Sequence, residues 1–415
     1  MSALHKSDSL RLLQGGEALF PALVAAFDGA QRWIQLETYI FDFHGAGAEV
    51  AEALMRAAQR GVSVQVLVDG VGTETLPDEW LDKLRGAGVE LQTYSPLGSG
   101  LIGLLVPERW RRLHRKLCVV DLTTLFCGGI NILDDFYDPN HGELSAPRFD
   151  FAVAVTGPLA TQAADAMALL WWRVQAGYSA RQRHLSAAWE SFKAGGYGGR
   201  TAAELRPLSV RRGTGATGTT GVGPGPKAAL LLRDNLLNRR AIERAYRKAI
   251  GRARDEIIIA NAYFLPGGKL RRALMAASRR GVKVTLLLQG KYEYFMQYHA
   301  VRPVYGALLS AGIAIHEYEA SFLHAKVAVI DGHWATVGSS NLDPLSLLLA
   351  REANVVVEDK VFAADLRARL VHAMDTQGRF IDPAIYSDRP FGQRVRGWMA
   401  YALMRLALML TGQRY

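Results

Sequence analysis

The stretch that decides the fold is LHRKLCVVD at residues 113–121, because a close copy, LHAKVAVID, lies at residues 323–331. Both copies contain the pattern H-x-K-x-x-x-x-D, with an apolar run between the lysine and the aspartate. Two matches at equivalent places of one chain are far rarer by chance than a single match. The two stretches therefore indicate an internal repeat.

The similarity extends upstream of the motif in both halves. ALMRAAQRGV at 53–62 matches ALMAASRRGV at 273–282, and each predicts an amphipathic helix that ends at glycine. A β-rich run precedes each helix, and an apolar strand-like run follows it. This order predicts right-handed βαβ units. We therefore expect an α/β protein with two duplicated lobes, each a mixed, mostly parallel sheet flanked by helices, packed as a pseudo-twofold dimer within one chain.

Composition suggests where the two lobes are joined. Residues 212–226 read RGTGATGTTGVGPGP, which is typical of a flexible linker or a surface loop. The segment VRGWMAYALMRLALML at 395–410 favours an amphipathic helix lying on a membrane, with docking on the protein's own core as the alternative. The predicted domains are an N-terminal lobe over 1–205, a linker over 206–226, a C-terminal lobe over 227–388 and a membrane-associating helix over 389–415.

The overall composition excludes several classes of protein. The chain has 415 residues, 49% of them hydrophobic, which excludes wholesale disorder, and its two cysteines exclude a disulfide scaffold. Lys and Arg total 49 against 39 Asp and Glu, giving a net charge of +10 that favours polyanionic partners. No run approaches the ~18 apolar residues of a spanning helix. These features predict a soluble or peripheral protein.

The two His-x-Lys pairs point to phosphodiester chemistry. Residues two apart on a strand project from the same face, so His114 and Lys116, like His324 and Lys326, face one site. A pseudo-twofold axis would bring both pairs together. The lysines can hold phosphate oxygens, while one imidazole attacks phosphorus and the other protonates the leaving oxygen. This chemistry requires no metal ion or other cofactor.

Residues near each motif complete the predicted site. Asp121 and Asp331 end the motif, and we interpret them as structural anchors of a turn or of neighbouring backbone. The glycines can admit a phosphate, the asparagines can donate hydrogen bonds, and the later acids can orient a histidine through Nδ1. A surface salt bridge is the alternative for the acids. The supporting set is Gly128, Asn131 and Asp150 in the first half, and Gly338, Ser339, Asn341 and Glu352 in the second.

The paired motifs, the segments GGIN (128–131) and GSSN (338–341) and the trailing acids resemble the phospholipase D superfamily, and more closely its bacterial cardiolipin synthases of the B type. The resemblance spans roughly residues 10–375. It implies that the catalytic residues are His114, Lys116, Asp121, His324, Lys326 and Asp331. The sequence departs from the usual GSxN at Gly129, which stands where Ser339 does, so the first half lacks one hydroxyl contact.

The resemblance also implies an activity and a location. The expected reaction is metal-independent transfer of a phosphatidyl group from one phosphatidylglycerol to a hydroxyl of another through a phosphatidyl-histidine, giving cardiolipin and glycerol. By analogy, His114 is the nucleophile and His324 the acid and base, although the residues alone are nearly symmetric. The expected partners are the phospholipid and an anionic membrane surface, with no nucleic acid. The expected place is the cytoplasmic side of a bacterial cell membrane, as a peripheral protein that can be a monomer.

Other functions fit the same residues. A hydrolase, either a phospholipase or a nuclease, would use the same two-histidine site, and water exclusion decides between transfer and hydrolysis. A non-catalytic lipid- or DNA-binding scaffold is a third possibility, which the two intact motifs disfavour. The insert LGSGLIGLLVPERWRR at 97–112 suits a lip that contacts the membrane interface beside the site, or a buried loop. The residues leave the phosphatidyl donor and acceptor open.

Overall fold

The computed structural model describes residues 4–73, 76–94, 112–139, 141–181, 226–234, 238–291, 295–343 and 350–387, with isolated positions after residue 390. Three predicted segments lie outside this described part. They are the lip at 97–112 apart from Arg112, the linker at 206–226 apart from Pro226, and almost all of the C-terminal helix at 389–415.

The first half of the chain contributes all seven strands of one sheet and four helices among the described residues. Its elements are β1 (His5–Lys6), β2 (Ser9–Gln14), α1 (Gly15–Gly29), β3 (Trp33–Thr38), α2 (Ala46–Gln59), β4 (Ser63–Asp69), α3 (Asp78–Gly86), β5 (Glu90–Tyr94), β6 (Arg112–Leu113), β7 (Lys116–Val120), β8 (Thr124–Gly128), β9 (Tyr137–Asp138), β10 (Gly142–Glu143), β11 (Phe151–Thr156) and α4 (Pro158–Arg181). The first sheet has the strand order β2-β11-β8-β7-β3-β4-β5.

The second half repeats this plan. Its elements are β12 (Lys227–Arg233), α5 (Ala241–Arg252), β13 (Glu256–Asn261), α6 (Gly268–Arg279), β14 (Lys283–Gln289), α7 (Phe295–Leu309), β15 (Ala314–Tyr318), β16 (Lys326–Ile330), β17 (Trp334–Gly338), β18 (Ala350–Glu358), α8 (Lys360–Gln377), β19 (Gly378–Phe380) and α9 (Pro383–Ser387). The second sheet has the order β1-β12-β18-β17-β16-β13-β14-β15-β19, and β6 also pairs with β18.

Both sheets are mixed, which confirms the predicted α/β class. Parallel pairing within them joins β3 to β4 and β4 to β5, and likewise β13 to β14 and β14 to β15. The short β6–β18 pair is also parallel, and the other strand pairs of the two sheets are antiparallel, so the parallel share is smaller than expected. The reason is connectivity: helices return the chain between the parallel strands, whereas short turns connect β7 to β8 and β16 to β17.

The duplicated helices form as the sequence predicts. Val50, Leu54 and Ala57 bury one face of α2, and Leu270, Leu274 and Ala277 bury the same face of α6. Gly61 and Gly281, which follow these helices, both have a φ of 89°, a left-handed conformation that glycine adopts without strain. No helix of the described residues has the length and apolar character to cross a membrane.

The two lobes share one hydrophobic core. Leu117 and Val119 of β7 pack in the same buried cluster as Val327 and Val329 of β16, with α4 and α8 contributing from either side. These strand residues alternate with Lys116 or Lys326 at the strand start. The core therefore holds the starts of β7 and β16, and the motif residues there, in a fixed relation to each other.

Candidate active site

The two motif histidines lie where the backbones of the two lobes pair with each other. The residue before each histidine makes a β-type pair with the opposite lobe. His114 N donates a hydrogen bond to Arg351 O at 3.1 Å, and His324 N donates to Phe149 O at 2.9 Å. Each histidine backbone is thus fixed by the lobe to which it does not belong.

Each imidazole is also bound by a carboxylate from the other lobe. The Glu352 oxygens lie 3.1 and 3.2 Å from Nδ1 of His114, and Asp150 Oδ2 lies 2.7 Å from Nδ1 of His324. Both acids are buried, while the histidine side chains remain 18% and 20% exposed. This contact engages Nδ1, so Nε2 is the nitrogen that stays outside it. Each motif histidine therefore has a carboxylate of the other lobe at Nδ1, and the orienting role of these acids stays a prediction.

The two lysines join the same cluster. Lys116 Nζ donates to His114 O at 2.7 Å, and Lys326 Nζ donates to His324 O. Lys326 Nζ also lies 3.9 Å from Asp150 Oδ2. Burial, together with the charge of Lys326, lowers the pKa of Lys116 to about 7. The charge of each lysine lowers the pKa of the histidine in the other half, so the two His–Lys pairs lie near each other, and their catalytic role stays a prediction.

Burial also shifts the histidines toward the neutral form. It lowers the pKa of His114, against the attraction of Glu352, and it lowers the pKa of His324 well below the ordinary value, with both lysines adding to the effect. A neutral imidazole is the nucleophilic form. An anionic phosphate entering the site would raise both pKa values again, because it favours a positive charge nearby.

The two carboxylates differ in their surroundings. Burial alone would raise the pKa of Glu352, but His114 and Arg233 outweigh it and the pKa is lowered. Arg233 is itself 1% exposed and faces Glu352 in the β12–β18 register. For Asp150, burial prevails and raises the pKa to about 7 despite Lys326. The site is therefore electrostatically asymmetric.

The departure at Gly129 has a structural reason. Ser339 Oγ donates to Glu352 Oε2 at 2.5 Å, which is the contact that the first half was expected to lack. A Cβ atom at Gly129 would lie 2.4 Å from Asp150 Oδ1, so the carboxylate occupies the serine's space. Asp150 instead accepts the backbone N–H of Phe151 at 2.8 Å.

Asp121 and Asp331 anchor backbone at the far end of the motif strands. Their carboxylates accept the N–H groups of Gln31, Arg32 and Trp33 in the first lobe and of Arg254, Asp255 and Glu256 in the second. Both aspartates have a φ of 50°. Their contacts fit the structural interpretation and hold the start of the central strand against the end of the motif strand.

The residues predicted to contact the phosphate differ in what surrounds them. A Cβ at Gly128 or Gly338 would collide with the adjoining strand, so both glycines are needed for strand packing. Asn131 Oδ1 accepts the N–H of Ile40 at 3.2 Å. Asn341 is 2% exposed, and its Oδ1 has no hydrogen-bond partner among the described residues. The donation of hydrogen bonds to a phosphate by the two asparagines stays a prediction.

Sequence reasoning missed a pair of positioning residues. Asp69 Oδ2 accepts the N–H of Leu113 at 2.6 Å, and Gln289 Oε1 accepts the N–H of Leu323 at 3.0 Å. Each acceptor therefore holds the residue just before a motif histidine. The repeat contained the signal, because SVQVLVDG and KVTLLLQG place these two side chains at the same strand position.

An aromatic ring also flanks the first motif. The ring of Tyr39 lies 5.1 Å from that of His114, and Lys116 Nζ lies 5.4 Å from the Tyr39 centroid. Across the described residues, no group of three or more His, Cys, Asp or Glu side chains is arranged to hold a metal ion.

Comparisons with known proteins show the family to which the chain belongs. A sequence model of the family described as "Cardiolipin synthase, PLD-like domain" matches residues 23–143 and 246–374, which contain both complete motifs. This chain belongs to that family. Cardiolipin synthase B of Escherichia coli is 35% identical to it over 98% of this chain and 90% of that protein. Cardiolipin synthase A of Cronobacter sakazakii is 28% identical over 94% of this chain and 74% of that protein.

A solved structure has the same overall fold as this chain. The crystal structure of phosphatidylserine synthase from Haemophilus influenzae has a TM-score of 0.68 at 12% identity, covering 99% of this chain and 96% of that one. At this identity the likeness concerns the fold alone. The resemblance drawn from the paired motifs is confirmed by the family match.

Proposed function

We propose that this protein is a phosphatidyltransferase that converts two phosphatidylglycerol molecules into cardiolipin and glycerol without a metal ion. The observation that carries this proposal is the crossed pair of His–carboxylate contacts, with a lysine beside each, at one cleft between the lobes. Family membership and the 35% identity to a cardiolipin synthase support a phospholipid as the substrate.

In the first step, His114 Nε2 attacks the phosphorus of one phosphatidylglycerol. The N–P bond forms while the bond from phosphorus to the glycerol oxygen breaks, and His324 supplies the proton that the departing glycerol needs. Lys116 and Lys326 balance the charge on the phosphate oxygens. The product of this step is a phosphatidyl group on His114.

In the second step, a second phosphatidylglycerol replaces the glycerol. His324 accepts the proton of its terminal hydroxyl, the new O–P bond forms, and the N–P bond to His114 breaks. Both histidines return to their starting state, and the product is cardiolipin. The same site would yield phosphatidic acid if water attacked the intermediate instead.

The asymmetry of the carboxylates supports this assignment of roles. Arg233 and His114 together keep Glu352 ionised by lowering its pKa, so His114 has an anionic partner that favours nucleophilic attack. The pKa of Asp150 is raised to about 7, so near neutral pH the His324–Asp150 pair still carries a proton for the leaving group. His324 is therefore the general acid of the first step, and His114 is the nucleophile.

The domain division and location belong to the proposal as well. Lobes over 1–205 and 227–388, the linker over 206–226 and the membrane-associating helix over 389–415 stay predictions. We place the protein on the cytoplasmic side of the membrane as a peripheral protein. The net charge of +10 supports an anionic membrane surface as its partner.

The test is mass spectrometry of lipids after incubation of the purified full chain with phosphatidylglycerol vesicles. The expected products are cardiolipin and glycerol in equal amounts, formed also in the presence of a metal chelator. Phosphatidic acid as the sole product would replace transfer by hydrolysis. An unchanged lipid, with a folded protein, would overturn the proposed activity.

A further inference from the structure

A cavity lies on the second lobe, and neither motif histidine lines it. Its volume is about 460 Å³, and it lies between α5 and the strands β12, β17 and β18. Apolar side chains of Leu231, Trp334 and Val356 line it. Asp331, seven residues beyond His324, lines one part of it, and Leu232, which pairs with Ala353 beside Glu352, lines another.

Basic side chains surround the opening of this cavity. Arg244, Lys248 and Arg252 follow each other at intervals of four on α5 and share one face of the helix, and Arg254 follows the helix. All four are exposed. The acidic lining residues are Asp331, whose carboxylate already binds three backbone N–H groups, and Glu358. With four cations and two anions, the lining has an excess of two positive charges.

The first lobe provides an internal comparison. Ala30 N donates to Phe27 O after α1, and Ala253 N donates to Ile250 O after α5, which aligns the two helices with an offset of 253 − 30 = 223. At this offset the buried face repeats. The positions equivalent to Arg244, Lys248 and Arg252 are Pro21, Ala25 and Gly29. The fold therefore does not require the basic residues, which are confined to the lobe that has the cavity.

We propose that this cavity binds one anionic phospholipid molecule. Its phosphate contacts Arg244, Lys248 and Arg252, since guanidinium and ammonium groups are the usual partners of phosphate oxygens. One acyl chain lies against Leu231, Trp334 and Val356, where apolar surface leaves water. The volume falls within the ~300–1,000 Å³ of small-molecule sites. The site does not depend on the proposed reaction, because none of the motif histidines and lysines lines it.

The experiment uses a phosphatidylglycerol that carries a photoreactive diazirine on one acyl chain. The full chain is irradiated with vesicles containing this lipid, and mass spectrometry maps the adducts. We expect adducts in β12, α5 or β17, separate from any at the catalytic cleft. In the double variant Arg244→Glu/Arg252→Glu, these adducts should fall at least about fivefold, because two charge-assisted phosphate contacts become repulsive.

The matched control is Arg247→Glu/Arg272→Glu, which makes the same charge change at exposed positions of α5 and α6 that do not line the cavity. It should keep the adducts. Ala249→Phe, which fills the cavity without changing charge, should remove them. Cardiolipin formation is followed separately, so a loss of labelling at the cavity is distinguishable from a failure of the proposed reaction.

Several results would overturn the site. One is that no adducts form in β12, α5 or β17. Another is that the control Arg247→Glu/Arg272→Glu reduces the adducts as much as the double variant does. A third is that a zwitterionic phosphatidylcholine probe labels the cavity as strongly as the phosphatidylglycerol probe. Competition by glycerol 3-phosphate as effective as that by short-chain phosphatidylglycerol would leave a simple phosphate site instead. A thermal melt of each variant checks that the fold is intact, and Ala249→Phe and the charge variant provide independent tests.

Discussion

Glu352 and His114 are 238 residues apart and lie in different lobes, yet the carboxylate lies within 3.2 Å of the imidazole Nδ1. His324 and Asp150 repeat the relationship in the other direction. Neither lobe therefore contains a complete site. The duplication and the packing of the lobes are both required for each histidine to have its orienting acid.

Removing the charge of Glu352 should show what this contact contributes. In Glu352→Gln an amide replaces the carboxylate, so the anionic partner of His114 is lost while the shape is kept. We expect kcat to fall by about 10²-fold or more, a magnitude typical of an acid–base pair. The control is Glu49→Gln, at an exposed position of α2, which should retain full activity. An active Glu352→Gln protein would remove Glu352 from the mechanism.

The cation behind Glu352 should set the pH dependence. Arg233 helps lower the pKa of Glu352, so Arg233→Met should raise that pKa and move the acid limb of the kcat/KM profile to higher pH, by about one pH unit. Arg233→Lys keeps the charge and should restore much of the profile. Arg11→Met, at an exposed position of β2, is the control. A uniform loss of activity at all pH values, with no shift of the limb, would mean a purely structural role.

The order of the two histidines can be read from the trapped intermediate. His324→Ala should form the phosphatidyl group on His114 slowly and then retain it, because the proton donor of the first step and the base of the second are both missing. His114→Ala should form no adduct, because the nucleophile is missing. Mass spectrometry of the intact protein under mildly alkaline quench, which preserves the phosphoramidate, detects the difference. An adduct on His324 in the His114→Ala protein would reverse the two roles.

Much of this site could be predicted from the sequence because the duplication repeats it. The motif strands, the helix-ending glycines Gly61 and Gly281, and the acids Asp150 and Glu352 all stand at matching places of the two halves. Which lobe each acid serves could not be predicted, since that depends on how the sheets pack. The sequence did not predict the role of Arg233, because this residue has no equivalent in the first half. Only the β12–β18 register brings it to Glu352.

The positioning role of Gln289 is testable through the split between kcat and KM. Gln289→Ala removes the acceptor of the Leu323 N–H and frees the backbone that precedes His324. We expect kcat to fall by about tenfold with little change in KM, because a small misplacement of a reacting group affects the transition state more than substrate binding. Gln65→Ala, on the equivalent strand β4 of the first lobe, should leave both constants unchanged. Equal changes in kcat and KM would contradict a positioning role.

The anchoring role of Asp331 predicts a pH-dependent contribution to stability. Three backbone N–H groups outweigh burial and lower the pKa of Asp331 in the folded state. A lowered folded pKa adds stability that is present above the unfolded value of about 3.9 and is lost as the pH falls through the folded pKa. Asp331→Asn should therefore reduce the free energy of unfolding at pH 7 by about 1 kcal/mol, and the difference should shrink below about pH 4. Urea unfolding at several pH values measures it, with the exposed Asp82→Asn as the control. A difference that stays constant down to pH 3 would show that the carboxylate charge does not act through these hydrogen bonds.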